Sequence, residues 1–148
     1  MGYYVTSDGN RFELDSLKIT LVLNDRGLIE LNLDGMKKLR TIWCQNNKLT
    51  KLDVQGLTEL RILFCSDNLL MELNLDGLIN LRALWCANNR LKELKCPTNI
   101  RTLLCFNNEI ENLDLGVLDK LITLTCDDGL VDVDKYLKTR IDITLVLK

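Results

Sequence analysis

The sequence predicts a β-dominated solenoid of the α/β class, with a parallel concave β-sheet of about seven strands and a mostly irregular convex side. Three observations lead to this prediction: a fixed internal period, a short alternating stretch at the start of each repeat, and a glycine at a fixed later position in several repeats. A chain of 148 residues suits one domain with one continuous core.

The repeats start at positions 18, 39, 60, 81, 100, 121 and 142. Successive starts are 21 residues apart, except for one interval of 19 before position 100, where Pro97 replaces the usual glycine and leucine. The four most regular units read LRTIWCQNNKLTKLDVQGLTE, LRILFCSDNLLMELNLDGLIN, LRALWCANNRLKELKCPTN and IRTLLCFNNEIENLDLGVLDK. The second half of the unit at 121 departs from this pattern, and we expect a short helix over 134–140.

Each repeat opens with a strand whose side chains alternate between two faces. In the unit at 39, Ile42 and Cys44 point inward, whereas Thr41, Trp43 and Gln45 point outward. A single strand cannot bury its inward residues, but stacked copies bury them together in a parallel sheet. Apolar residues line the back of the turn, in this unit Leu49, Leu52, Val54 and Leu57. The chain turns there at a glycine shared by three units, namely Gly35, Gly56 and Gly77.

The shared pattern, L-x-x-L-x-C-x-x-N-x-L-x-x-L, resembles the leucine-rich repeat family. The 21-residue period and the cysteine in place of the third leucine are similar to the cysteine-ladder repeats of bacterial internalin-type proteins. The resemblance covers residues 18–148 and departs from the pattern at Leu23, at Gly129 and in the second half of the unit at 121. It implies a right-handed leucine-rich-repeat solenoid, a bacterial origin, and a scaffold used mainly for binding diverse partners.

The repeats occupy residues 18–148 and leave residues 1–17 outside the period. Two β-prone stretches in that segment flank Asp8-Gly9, a pair typical of a tight hairpin turn. Because a solenoid needs caps over its ends, we expect residues 1–17 to form an N-terminal cap. The terminal strand from position 142 would be an open edge, and such an edge can recruit a second chain.

Five of the six cysteines share one inward repeat position, namely Cys44, Cys65, Cys86, Cys105 and Cys126. Cys96 takes an inward position on the convex side. A metal site needs ligands that converge on one point, whereas a ladder spreads its thiols along the axis. Stacked thiols lie within disulfide reach, but side chains in register have poor torsion geometry for the bond. We therefore favour small core residues over disulfides, and we expect no metal site, no catalytic residue and no cofactor.

Asparagine recurs at one position just after the strand, as Asn47, Asn68, Asn89 and Asn108. The chain turns sharply there and leaves backbone groups without partners in the sheet. A buried amide can hydrogen-bond these groups, so the sequence predicts a structural asparagine ladder.

The outward residues of the concave sheet are the candidate binding residues. A solvent-facing column is usually polar, but the central column contains both tryptophans and reads Val22, Trp43, Phe64, Trp85, Leu104, Thr125 and Val146. Exposed aromatic patches often mark contact sites, and tryptophan is typical of interface hot spots. The expected protein-binding residues are this ridge and its flanks, namely Trp43, Phe64, Trp85, Leu104, Phe106, Thr41, Ile62, Gln45, Asn46, Asp67, Asn88 and Asn107.

We expect the partner to be a protein or peptide. A rim of neutral and acidic residues lies beside the outward columns and favours a basic partner; its members are Asp25, Asn46, Asp67, Asn88, Asn107 and Asp128. Two alternatives stay open. One is self-association through the ridge or the terminal strand, which would give a homodimer. The other is a ridge covered by the N-terminal segment, with its aromatic residues Tyr3, Tyr4 and Phe12. Sugar binding by the tryptophans is a weaker option.

Composition and motifs argue against several other functions. The sequence has no histidine, no phosphate-binding glycine loop and no nucleophile elbow, so we predict no enzyme activity. The net charge of −2 gives no general attraction for nucleic acid, and no apolar run is long enough for membrane insertion. The start of the chain lacks a basic and then apolar signal segment, which favours a cytoplasmic protein, although a trimmed secreted protein would look the same.

Overall fold

The computed structural model describes residues 1–111, 113, 118–130 and 144–148. This part of the chain contains ten β-strands and no helix. In chain order the strands are β1 (Tyr3–Thr6), β2 (Arg11–Glu13), β3 (Thr20–Val22), β4 (Leu28–Asn32), β5 (Thr41–Trp43), β6 (Ile62–Phe64), β7 (Ala83–Trp85), β8 (Thr102–Leu104), β9 (Thr123–Cys126) and β10 (Thr144–Leu147). The helix expected over 134–140 lies outside the described residues. Within them, no helix is long and apolar enough to cross a membrane.

Seven strands form one parallel sheet in the order β3-β5-β6-β7-β8-β9-β10. Each residue pairs with its equivalent in the next repeat, so that Trp43 lies opposite Phe64 and Phe64 opposite Trp85. The register follows the sequence period, because a strand that slipped by one residue would turn its inward leucine to solvent. The predicted solenoid with a parallel sheet of seven strands is confirmed.

The repeat of 19 residues keeps the sheet in register. Ala83 still pairs with Thr102, and Trp85 with Leu104. The deletion is therefore absorbed outside the sheet, next to Pro97. The carbonyl oxygen of Pro97 accepts a hydrogen bond from the backbone N of Ile100 at 3.1 Å, which preserves the turn that leads into the next strand.

A single apolar core runs through the stacked turns. Ile42, Leu63 and Leu84 take equivalent inward positions in β5, β6 and β7 and are fully buried. The convex half of each turn contributes leucines such as Leu49 and Leu70, which are also fully buried. Burial of one such side chain contributes about 1.5–3 kcal/mol. Each turn therefore depends on its neighbours to bury these residues.

The N-terminal segment forms an antiparallel hairpin, in which Tyr4 of β1 lies opposite Phe12 of β2. The rings of these two residues stack with their centroids 4.9 Å apart. The other edge of β1 pairs antiparallel with β4, in the convex half of the first repeat. The repeat pattern does not predict β4, because the equivalent residues 49–53 and 70–74 form no strand. The role of residues 1–17 as a cap stays a prediction.

Candidate protein-binding surface

Four neighbouring strands of the concave sheet each present one residue to a continuous apolar strip. We call Trp43, Phe64, Trp85 and Leu104 the aromatic ridge; they are the last residues of β5, β6, β7 and β8. The ring centroids of Trp43 and Phe64 are 4.1 Å apart, and those of Phe64 and Trp85 are 4.0 Å apart. Trp43 is 36% exposed, and the other three are half-buried. The structure therefore brings these four predicted residues together on one partly exposed strip.

The outward column continues beyond the ridge, but it is not exposed along its whole length. Val22 in β3 is exposed at one end, whereas Thr125 in β9 is buried. Thr125 lies in register between Leu104 and Val146. The accessible ridge is therefore bounded by Thr125 on its C-terminal side.

The columns beside the ridge carry smaller or polar side chains. Thr41, Ile62 and Gln45 are half-buried. Ser66 and Ala87 are buried, although they lie in an outward column. The accessible apolar strip is therefore narrower than the column pattern predicts.

Phe106 adds a further aromatic ring two residues after the end of the ridge. Its side chain is half-buried. The Nζ atom of Lys148 lies 5.5 Å from the ring centroid, which is within the range of a cation–π contact. A positive charge is therefore held near this end of the concave face.

The polar rim at the ends of the strands has a backbone reason for its composition. Asn46, Asp67, Asn88 and Asn107 all have φ between 54° and 57°, in the left-handed region. Asparagine and aspartate enter this region more readily than other residues that carry a side chain. Asn88 donates to Oδ1 of Asp67 at 2.7 Å and accepts from Nδ2 of Asn107 at 2.8 Å. The rim is thus part of the turn, and its role in binding stays a prediction.

The concave face also has a basic flank, which was not predicted. Arg40, Arg61, Arg82 and Arg101, which we call the arginine column, each stand directly before the first residue of a concave strand and are exposed. The backbone N atoms of the last three donate to the carbonyl oxygen of the preceding arginine at 2.9, 2.9 and 2.8 Å, so the column is in register. The sequence contains the signal, since arginine follows the first apolar residue in LRT, LRI, LRA and IRT.

The asparagine ladder supports the turns next to this face, as predicted. Asn68 donates from Nδ2 to three carbonyl oxygens at 3.0–3.2 Å, those of Cys44, Cys65 and Ser66. Its Oδ1 accepts from the backbone N of Leu49 at 3.0 Å. The same pattern of bonds is made by the other ladder residues, Asn47, Asn89 and Asn108. Each amide therefore links backbone groups of two successive turns.

The cysteine ladder lies in the core, as predicted, and its thiols are free in the structure. Its five members, Cys44, Cys65, Cys86, Cys105 and Cys126, are fully buried. Burial raises the pKa of Cys44 to about 12 and that of Cys126 to about 11, because the core solvates a thiolate poorly. In the described ranges, no group of three or more histidine, cysteine, aspartate or glutamate side chains could hold a metal ion.

We expect the thiols to react very slowly with a chromogenic disulfide reagent at about pH 8 while the chain is folded. A thiol whose pKa is about 11 carries about 0.1% thiolate at that pH, and the thiolate is the reactive form. Burial also raises the pKa of Cys96 to about 12. In guanidinium chloride all six thiols should react at once. Rapid reaction of several thiols in the native protein would contradict this description of the core.

Three solved bacterial structures resemble this chain. A leucine-rich-repeat protein of Leptospira interrogans matches with a TM-score of 0.76 and 23% identity, over 88% of this chain and 37% of that one. The functional domain of InlJ from Listeria monocytogenes, which includes a cysteine ladder, matches with a TM-score of 0.52 and 21% identity, over 90% and 45%. An internalin of the same species, InlF, matches with a TM-score of 0.57 and 22% identity, over 66% and 32%. No family model matches the sequence, and the search of curated proteins finds no match.

These likenesses concern the fold, since the identities are only 21–23%. The chain spans less than half the length of each of the three proteins. The parallel sheet in register agrees with a leucine-rich-repeat fold, and the buried row of cysteines is similar to the cysteine ladder named for the InlJ domain. The chain therefore has the leucine-rich-repeat fold, with a cysteine ladder in its core.

Proposed function

We propose that this chain is a non-enzymatic interaction module that binds a protein or peptide through the aromatic ridge. The observation that carries the proposal is the stack of Trp43, Phe64 and Trp85 on a partly exposed face. Aromatic side chains contribute strongly to both cores and interfaces. A row of them outside the core, next to the polar flanks, is therefore typical of a contact surface.

The stacking itself favours binding. Trp43 and Trp85 each lie against Phe64, with their ring planes tilted by 25° and 14°. Side chains that are already held by their neighbours lose little conformational entropy when a partner covers them. The ridge is thus prepared for contact before a partner arrives.

Two observations favour a foreign partner over cover by the N-terminal segment of the chain. Tyr4 and Phe12 stack on each other, and the Tyr3 hydroxyl donates to Glu30. The strand β1 pairs with β2 and β4, which are not strands of the concave sheet. The aromatic residues of this segment are therefore engaged at the first repeat.

The fold supports the same proposal, because stacked repeats create extended concave binding surfaces. The similar solved structures are all more than twice as long as the part they share with this chain. The identity of the partner and the cytoplasmic location therefore stay predictions.

Self-association is the second candidate function. The strand β10 stands at one end of the sheet, and its residues Val146 and Leu147 are both exposed. A terminal strand with exposed apolar residues can pair with another chain, and contact between two ridges would also bury tryptophans. Light scattering that finds only monomer at high protein concentration would exclude this candidate.

The test compares the wild type with two folded double variants. Trp43→Glu/Trp85→Glu places two charges on the ridge, and Met71→Glu/Ile79→Glu places them on exposed apolar residues outside the concave strands. All three proteins are checked by circular dichroism, immobilised and incubated with lysate of the source cell. We expect a captured protein to bind wild type and control but to lose about tenfold or more in affinity for the ridge variant. Equal capture by all three proteins would count against the ridge.

A further inference from the structure

The arginine column concentrates positive charge along one side of the concave face. Backbone hydrogen bonds hold its members in register, so neighbouring side chains start about 4.8 Å apart, and like charges at this spacing repel one another. Arg40 forms an ion pair with Glu59 at 3.8 Å. Within the part of the chain that the structure describes, Arg61, Arg82 and Arg101 form none. Three guanidinium groups are therefore available to bind a partner.

The opposite side of the face carries acidic residues, but the protein already uses part of their hydrogen-bonding capacity. Asp25 and Asp67 accept hydrogen bonds from the side-chain amides of Asn46 and Asn88. The two sides of the concave face thus differ in charge. The arginine side is positive, and its charged groups have fewer partners within the protein than those of the acidic side. A basic partner, expected from the rim alone, fits this face less well than an acidic one.

The spacing of the column indicates the shape of an acidic partner. Carboxylates on one edge of an α-helix recur every three or four residues, with about 5–6 Å between their Cβ atoms. On one edge of an extended strand they recur about every 6.6–6.8 Å. The helical spacing is closer to that of the column, and the long arginine side chains can absorb the difference. Four arginines in register span about 14 Å, which corresponds to about ten residues of helix.

The aromatic ridge runs beside the arginine column in the same direction. Arg61 stands three residues before Phe64, the last residue of β6, and Arg82 stands three residues before Trp85, the last residue of β7. Three residues of strand span about 10 Å, which matches the diameter of a helix with its side chains. One helix laid along the stacked strands therefore reaches both features.

We infer that the concave face binds an acidic amphipathic helix that runs along the solenoid axis. Its carboxylates pair with the arginine column, because a guanidinium group binds a carboxylate with two parallel hydrogen bonds. Its apolar stripe lies on the aromatic ridge, as in other complexes in which a helix docks in a groove. The inference rests on the proposed function and adds the chemistry and the orientation of the partner.

The test uses two fluorescein-labelled helical peptides of about 18 residues. The acidic peptide has a leucine stripe with glutamates along one edge, and the basic peptide has lysines at the glutamate positions. Binding to the full chain is measured by fluorescence anisotropy at low and high salt. We expect the acidic peptide to bind about tenfold more tightly and to lose affinity at high salt, because salt screens charge pairs at a surface.

Matched charge variants locate the contact. Arg61→Glu/Arg82→Glu should lower the affinity for the acidic peptide by about tenfold or more. Lys51→Glu/Lys92→Glu makes the same change of charge at exposed residues outside the concave strands and should change the affinity by about twofold or less. If the reversal of charge prevents folding, Arg61→Gln/Arg82→Gln takes its place, with an expected loss of about fivefold.

Several results would overturn the inference. Equal affinity for the two peptides would do so, as would equal losses in the arginine and lysine variants. A heparin fragment or a single-stranded DNA that binds more tightly than the acidic peptide would assign the column to another polyanion. If a captured partner no longer binds Trp43→Glu/Trp85→Glu but still binds the arginine variants, the proposed function is supported and the inference of an acidic helix is wrong. If every variant binds as tightly as the wild type, both the proposed function and the inference of an acidic helix are wrong.

Discussion

Replacing Asn89 with alanine is expected to lower the free energy of unfolding by about 3 kcal/mol or more. The side chain is buried and bonds four backbone groups. It donates to the carbonyl oxygens of Cys65, Cys86 and Ala87 at 3.1–3.3 Å, and it accepts from the backbone N of Leu70 at 3.0 Å. Alanine leaves the backbone N of Leu70 without a partner in the interior, which costs about 1–3 kcal/mol. The three carbonyl oxygens each keep another donor, but each loses one hydrogen bond that contributes about 0.5–1.5 kcal/mol. Since domains of this size are stable by about 5–15 kcal/mol, the loss should be plain in urea unfolding.

Two neighbouring substitutions serve as controls. Asn89→Asp has nearly the same shape, but a carboxylate accepts hydrogen bonds and cannot replace the three that Asn89 donates, so it should destabilise at least as much. Asn88→Ala lies one residue earlier and loses its exposed hydrogen bonds with Asp67 and Asn107 and a favourable left-handed residue, at a cost of about 1–2 kcal/mol. An Asn89→Ala variant that loses no more stability than Asn88→Ala would mean that the ladder contributes little.

The register of the concave sheet could be predicted because every turn must bury the same inward positions. Cys65 stands at the same offset as Cys44, and Leu63 at the same offset as Ile42. A slip of one residue would turn each of these residues to the outside. The period alone therefore determines which residues share an outward column, and it placed the ridge correctly along β5 to β8.

The N-terminal contact with the first repeat could not be predicted in full, because it follows no period. Residues 28–32 and 49–53 have similar patterns, yet only the first stretch forms a strand, since β1 pairs with it. The first residues of the chain are tightly placed there: a Cβ atom at Gly2 would lie 2.7 Å from the sulfur of Met36. Such a contact joins two segments that are distant in the sequence, and the hydrophobic pattern of neither segment alone predicts it.

At the candidate surface, the sequence separates the two faces of a strand but does not determine how far each side chain is exposed. Trp43 and Thr125 share a column, yet Trp43 is exposed and Thr125 is buried. The rim was ambiguous for a physical reason, since residues such as Asn88 suit both a polar surface and a left-handed turn. The arginine column could have been recognised from the sequence, because no requirement of the backbone explains an arginine before each strand.

Replacing Leu63 with alanine is expected to lower the free energy of unfolding by about 3 kcal/mol, within the 2–5 kcal/mol typical of a buried leucine. Leu63 is fully buried in β6 and lies in register between Ile42 of β5 and Leu84 of β7. The cavity would therefore face two turns at once. Urea unfolding followed by circular dichroism measures the change, and Leu63→Met, which keeps most of the volume, should cost less than about 1.5 kcal/mol.

The position of Leu63 also decides how the chain should unfold. In a solenoid each turn contacts only its neighbours, so stability is close to a sum of turn energies and nearest-neighbour terms. A weakened turn in the middle of the solenoid uncouples the turns on either side of it, so that they can unfold separately. The unfolding transition of Leu63→Ala should therefore be broader than that of the wild type, and its free energy of unfolding should depend less steeply on urea concentration. The same change at Leu145, which is half-buried in the terminal strand β10, removes contacts on one side only and should cost about half as much. Equal losses with equally sharp transitions at both positions would contradict nearest-neighbour coupling, because only a core that unfolds as one unit would respond alike at its centre and its end.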